Sequence, residues 1–158
     1  MNPCPCGYHN DTLHNCTCSP SQVSNYWKKI SGPILDRIDI IIHVPRPKKE
    51  EILPTNTTLN NTNSELMKKR IDIATQKQFQ RLNTDKTNAN LNQKEIETYC
   101  TLSQTQHQLL EKAIHHGKLS ARSIMKVLKL SRTIADLDGQ DPILDQHILE
   151  ALSYKQSL

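Results

Sequence analysis

The sequence is poor in aromatic residues: one Phe, one Trp and four Tyr among 158 residues. Rings supply the largest single packets of buried apolar area, so this scarcity argues against a dense, aromatic-rich sheet core. Hydrophobic residues reach only 35%, and mean hydropathy is −0.62. Such polarity suits a helical fold with much wetted surface, and the length suggests about one domain. No apolar run approaches the ~18 residues of a membrane-crossing helix, which excludes an integral helical membrane protein. The first residues lack a basic stretch followed by an apolar one, so no secretory signal is read there. A reducing, cytoplasmic setting is therefore expected.

Glycine is also scarce. Gly7, Gly32, Gly117 and Gly139 are the only four, too few and too scattered for a G-x-G-x-x-G dinucleotide fingerprint. No G-x-x-x-x-G-K-[ST] loop cradles a phosphate, and no H-E-x-x-H supplies a catalytic zinc site. Cys100 has no neighbouring base and reads as a buried helix residue. Nothing in these residues makes a self-sufficient enzyme.

What is present begins with cysteine. Cys4, Cys6, Cys16 and Cys18 form two C-x-C pairs separated by nine residues. Clustered thiols in a reducing compartment hold metal more often than they form disulfides. Four thiolates close a tetrahedral zinc site and leave no open position for water, so such a zinc is structural. His9 and His14 lie between the pairs as possible substitute ligands. The other reading is four free thiols, or two vicinal pairs open to oxidation.

Along the chain, Ser19-Pro20 signals a helix start, and a helix is expected to Ile30. A turn of helix around Ile34 and Leu35 follows. The Ile-rich run 38–44 reads as one buried, parallel strand. Proline, charge and an Asn/Thr-rich stretch mark 51–63 as a linker. Helical periodicity then predicts 64–82, 93–100, 104–116, 120–137 and 144–154, with Gly117 and Gly139 at helix ends. On 120–137, Ile124, Val127, Leu128, Ile134 and Ala135 share an apolar face. Lys118, Arg122, Lys126, Lys129 and Arg132 share a basic one. That stripe is either a solvated face or a phosphate contact, and Arg132 is placed to pair with Asp136. The net charge of +4 permits nucleic-acid contact without requiring it.

The motifs M-N-P-C-P-C-G-Y at 1–8, C-T-C at 16–18, I-S-G-P-I-L-D-R-I-D-I at 30–40, L-S-A-R at 119–122 and R-T-I-A-D-L at 132–137 resemble the ComM/YifB-type magnesium-chelatase-like AAA+ ATPases. The similarity covers nearly the whole chain and corresponds to the C-terminal third of such proteins. It implies a mainly α fold: residues 1–50 as the end of an α/β ATPase core with one strand, and 64–158 as a helical-bundle lid. It implies Asn2 as sensor 1, Arg37 as the arginine finger acting on a neighbour's ATP, and Arg122 as sensor 2. It further implies ATP and Mg2+ in a longer parent, with the Walker loops upstream of Met1, and Zn2+ on Cys4, Cys6, Cys16 and Cys18. Self-assembly into a ring, expected as a hexamer, and action on DNA in natural transformation also follow from the resemblance. Lys126 and Lys129 gain no support from it and stay as a solvated face. Thr75 departs from it, standing where relatives commonly carry arginine. Two other readings are a small zinc-containing nucleic-acid-binding module and a magnesium-chelatase-like metal-insertion subunit. For Arg37 alone, the plain alternative is an ion pair with Asp36 or Asp39.

Overall fold

The computed structural model describes residues 2–11, 13–45, 47, 64–115 and 119–155. The elements in order are α1 (Pro20–Lys28), α2 (Gly32–Arg37), α3 (Ser64–Leu82), a 3₁₀ turn (Asn88–Asn90), α4 (Gln93–Tyr99), α5 (Gln104–His115), α6 (Ala121–Leu137) and α7 (Asp145–Ser153). The fold is mainly helical, as expected. The chain forms two compact units: one holds residues up to Ile38 and resumes at His43, and the other holds Asp39–Ile42 with the helices from α3 onward.

In the first unit, α1 starts where Ser19-Pro20 predicts. The Ser19 hydroxyl accepts from the Gln22 amide at 3.3 Å, and Gln22 Oε1 accepts from the Ser19 amide at 2.8 Å. This reciprocal cap satisfies two of the donors that a helix start leaves unpaired. The Trp27 indole N–H donates to the Pro3 carbonyl at 3.0 Å, which fastens the cysteine loop to α1.

The second unit is built around α6. Leu91, Ile96, Cys100, Leu110, Val127, Ile134, Ala135, Ile143, Ile148, Ala151 and Leu152 form its apolar core. Of the predicted apolar face of α6, Val127, Ile134 and Ala135 are buried, while Leu128 packs at the margin. Ser123 and Ser131 are buried on the same helix; small side chains let neighbouring elements approach closely. The end of α6 is a Schellman motif. Gly139 (φ 74°) donates to the Asp136 carbonyl at 3.1 Å, and Gln140 donates to the Ala135 carbonyl at 2.9 Å. Its left-handed backbone is the reason for glycine there. Gly117 lies outside the described residues, as does the predicted linker 51–63.

The predicted strand over 38–44 is not seen among the described residues, where no ladder forms. Ile38, Ile40, Ile42 and Val44 are exposed at 39%, 46%, 68% and 80%. The Ile41 amide donates instead to the Tyr154 carbonyl at 3.0 Å. An apolar β-branched run expresses only a preference for a pleated, packed surface. A strand also needs a hydrogen-bonding neighbour, and the described residues supply none.

Candidate functional site

Of the residues singled out in the sequence, four cysteines form one cluster, and Asn2, Arg37 and Arg122 lie outside it. Cys4, Cys6, Cys16 and Cys18 converge, with their sulfurs all within 4.8 Å of one another. Cys4 Sγ lies 3.3 Å from Cys6 and 3.7 Å from Cys16, and Cys6 lies 3.5 Å from Cys16. A tetrahedral zinc with bonds near 2.3 Å spaces its sulfurs about 3.8 Å apart, so this set is close to ligand geometry. Local backbone chemistry produces the convergence. Gly7 takes φ 85° and donates to the Cys4 carbonyl at 3.1 Å, turning the chain between the first pair and the connecting loop. Asp11 Oδ1 accepts from the Leu13 and His14 amides at 2.7 and 3.0 Å, an Asx turn that sends the chain back.

His9 and His14 are not part of the cluster. The His14 ring stacks on Tyr8 at 4.9 Å and lies 3.7 Å from Asp11. The four thiols differ in acidity. Backbone amides of Tyr8 and Thr17 hydrogen-bond to Cys6 and lower its pKa to about 5. The Cys18 amide favours the Cys16 thiolate, but burial and the neighbouring sulfurs outweigh it and push Cys16 up to about 12. Cys18 is raised too, its bond from the Cys6 amide being outweighed by burial and the adjacent sulfurs. Cys100 stands apart in the helical core, 4% exposed, and burial raises it to about 11.

Asn2 is exposed in the cysteine loop, and Arg37 is exposed at the C-terminal end of α2. Asp39 pairs with Lys126 at 2.7 Å, which gives that carboxylate a partner other than Arg37. Arg122 is exposed in the first turn of α6, behind a Ser120 cap whose hydroxyl accepts from the Ser123 amide at 3.1 Å. Arg37 and Arg122 belong to different compact units.

The solvated-face reading of the basic stripe is corrected. The Lys126 side chain is only 17% exposed in its pair with Asp39. Lys129 Nζ donates to the Ala89 carbonyl at 2.9 Å. Arg132 is buried, pairs with Asp136 at 3.0 Å as expected, and also donates to the Gln140 and Asp141 carbonyls. Among the described members of the stripe, Arg122 alone is exposed without such a contact; Lys118 lies outside the described residues. Because α6 is central, Lys126, Lys129 and Arg132 reach neighbouring segments of the protein, and Arg132 is buried. Sequence reasoning also missed Arg81, which grips Asp136 with both guanidinium nitrogens, and Asn88, which donates to Asp136 at 2.8 Å. Arg81 and Asn88 lie 55 and 48 residues before Asp136, so no local pattern could announce them.

Two family descriptions match the chain. "Magnesium chelatase, subunit ChlI C-terminal" covers residues 61–155, and "Magnesium chelatase, subunit ChlI" covers 1–52. The chain belongs to the ComM/YifB-type magnesium-chelatase-like family. It is 39% identical to Competence protein ComM of Haemophilus influenzae over 98% of its own length. It is 37% identical to the uncharacterized protein YifB of Escherichia coli, again over 98%. In both cases it spans 29% of the relative's length. No helix among the described residues is long and apolar enough to cross a membrane.

Proposed function

We propose that the chain is the C-terminal portion of a ring-forming AAA+ ATPase that works on DNA; the setting, competence, is taken from the name of the Haemophilus influenzae relative, Competence protein ComM. In this reading ATP and Mg2+ bind to the rest of such a protein. This chain contributes Arg37 as a finger to a neighbour's nucleotide, Arg122 as the lid's phosphate contact and Asn2 as the residue that orients water. The observation that carries the reading is the fate of the α6 stripe. Lys126, Lys129 and Arg132 are engaged within the protein, and Arg122 is left exposed in the first turn of a long helix. A helix N-terminus with a guanidinium beside it suits an anionic phosphate. The same finding weakens the nucleic-acid-module alternative, which needs the stripe as a contact surface.

The cysteine cluster holds one structural zinc in this proposal. Cys4, Cys6, Cys16 and Cys18 fit the ion in number, donor type and spacing. Its role is to fix the loop between Asn2 and α1, with no part in the reaction.

The test is a chimera in which this chain replaces the matching stretch of the Haemophilus influenzae relative. Arginine fingers contribute roughly 10³–10⁵ in rate in GTPases, so Arg37→Ala is expected to reduce ATP turnover by orders of magnitude and to spare ATP binding. Arg122→Ala is expected to weaken ATP binding as well. A subunit bearing Arg37→Ala should regain activity beside a subunit with a broken Walker loop and an intact Arg37. If Arg37→Ala leaves turnover unchanged and lowers only thermal stability, the residue is structural.

A further inference from the structure

The four sulfurs of the cysteine loop are not equally open. Cys4 is 0% exposed, whereas Cys6, Cys16 and Cys18 are partly exposed. An open groove of about 500 Å³ lies between the loop and α1. Cys6 and Cys18 line its loop side, and Cys4 and Cys16 do not. Gln22, Asn25, Tyr26 and the C-cap residue Lys29 line its helix side, and helical spacing puts these four on one face. Cys6 and Cys18 are also direct neighbours. The Cys18 sulfur accepts from the Cys6 amide, and the two side chains hydrogen-bond to each other.

A cysteine that holds zinc does so as a thiolate. Thiolates are oxidised according to their exposure, so a groove that opens on two of four ligands decides which two react. Building on the zinc reading above, we propose that Cys6 and Cys18 are a modification site, where a peroxide entering the groove joins them in a disulfide and expels the metal.

The Cys6 thiolate attacks one oxygen of hydrogen peroxide. The O–O bond breaks, Cys6 becomes a sulfenic acid and hydroxide leaves. The Cys18 thiolate then attacks the Cys6 sulfur, the S–O bond breaks and a second hydroxide leaves. Each sulfur gives up one electron, and the peroxide is reduced to two hydroxides. Lys29 supplies a positive charge on the groove wall that favours these departing anions. Cys4 and Cys16 are left as two ligands for an ion that takes four, so zinc departs and both take up protons. A thiol reductant returns the disulfide to thiols.

Trp27 reports the event. It is the sole tryptophan, and its indole N–H donates to the carbonyl of Pro3, next to Cys4, at 3.0 Å. Loss of the metal frees the loop and loosens this contact.

The experiment treats the zinc-loaded 158-residue chain with hydrogen peroxide and follows released zinc with a chromogenic chelator. About one zinc is expected per peroxide consumed, with a Cys6–Cys18 disulfide in the peptide map and Trp27 emission moved to longer wavelength. Dithiothreitol with added zinc is expected to restore all three signals. Cys100→Ser is expected to release zinc at the unaltered rate. Asn25→Trp narrows the groove and keeps all four cysteines. It is expected to slow release about tenfold, because access sets the rate, while chelator competition shows zinc affinity unchanged. A disulfide between any other pair overturns the proposal, as does zinc retained in excess peroxide or release from Asn25→Trp at the unaltered rate. If Asn25→Trp fails to bind zinc, the pair mapped in the unaltered chain decides. Protein that never binds zinc yet forms the Cys6–Cys18 disulfide overturns the zinc reading and supports the pair. Zinc bound and never released overturns the modification site alone.

Discussion

The four thiols of the cysteine loop lie at unequal starting points for binding a metal. Cys6 at about 5 is already a thiolate at neutral pH, whereas Cys16 at about 12 and the raised Cys18 are protonated. Zinc binds thiolates, so loading displaces protons. One zinc per chain is expected, with at least two protons released on loading at pH 7, read by metal analysis and by titration in weak buffer. Cys16→Ser is expected to lose the metal, while Cys100→Ser is expected to retain it. Protein that contains no zinc and reacts at four freely titrating loop thiols contradicts this. Gly139 is a second single-residue case. A Cβ there meets nothing closer than Lys77 Nζ at 4.0 Å, so space is not the obstacle. The cost of Gly139→Ala lies in the backbone, where φ is 74°. About 1–2 kcal/mol of destabilisation is expected in denaturant unfolding.

Among the elements, α6 is held by a polar core as much as by an apolar one. Asp136, 1% exposed, receives Arg81 from α3, Arg132 from its own helix and Asn88 from the 3₁₀ turn. Asp136 holds the Arg81 guanidinium above its usual pKa. Removing one partner of a buried ionic set leaves uncompensated charge, so Asp136→Ala is expected to cost roughly 3–5 kcal/mol. Lys86→Ala, at an exposed pair, is expected to cost roughly 0–1 kcal/mol. Thermal unfolding separates the two. The start of α4 carries a pH dependence. Glu95 accepts from the Asn92 amide at 2.7 Å, and that bond is the main reason its pKa lies below the ordinary value of 4.5. A depressed folded value means that the cap contributes fully above 4.5, weakens as pH falls below it and is lost once pH passes the folded value. Glu95→Gln keeps the cap geometry and is expected to remove this acid-dependent fraying, seen as exchange at the Asn92 amide between pH 5 and pH 3, about the range where carboxylates titrate.

On the scale of the whole chain, the sequence contains no G-x-x-x-x-G-K-[ST] loop of the kind that cradles a β-phosphate. The isolated 158-residue protein is expected to show no ATP turnover above background and ATP binding no tighter than millimolar, about −4 kcal/mol. Turnover that survives removal of contaminating ATPases overturns the view that ATP is held elsewhere. What the sequence determined was local or depended on motif. Ser19-Pro20-Ser21-Gln22 announces the α1 cap because a cap is satisfied within four residues. The C-x-C pairs announce a sulfur cluster because the chemistry of thiols restricts what they do together. Periodicity places α6 because an apolar stripe must face something. The tertiary structure decided the partners. It alone shows that Lys126, Lys129 and Arg132 meet Asp39, Ala89 and Asp136, because helical spacing says which residues share a face and not what lies opposite. It alone places Asp39–Ile42 with the helical unit and shows no ladder for 38–44 among the described residues, because strand pairing is made by a neighbour that the strand's own residues do not encode.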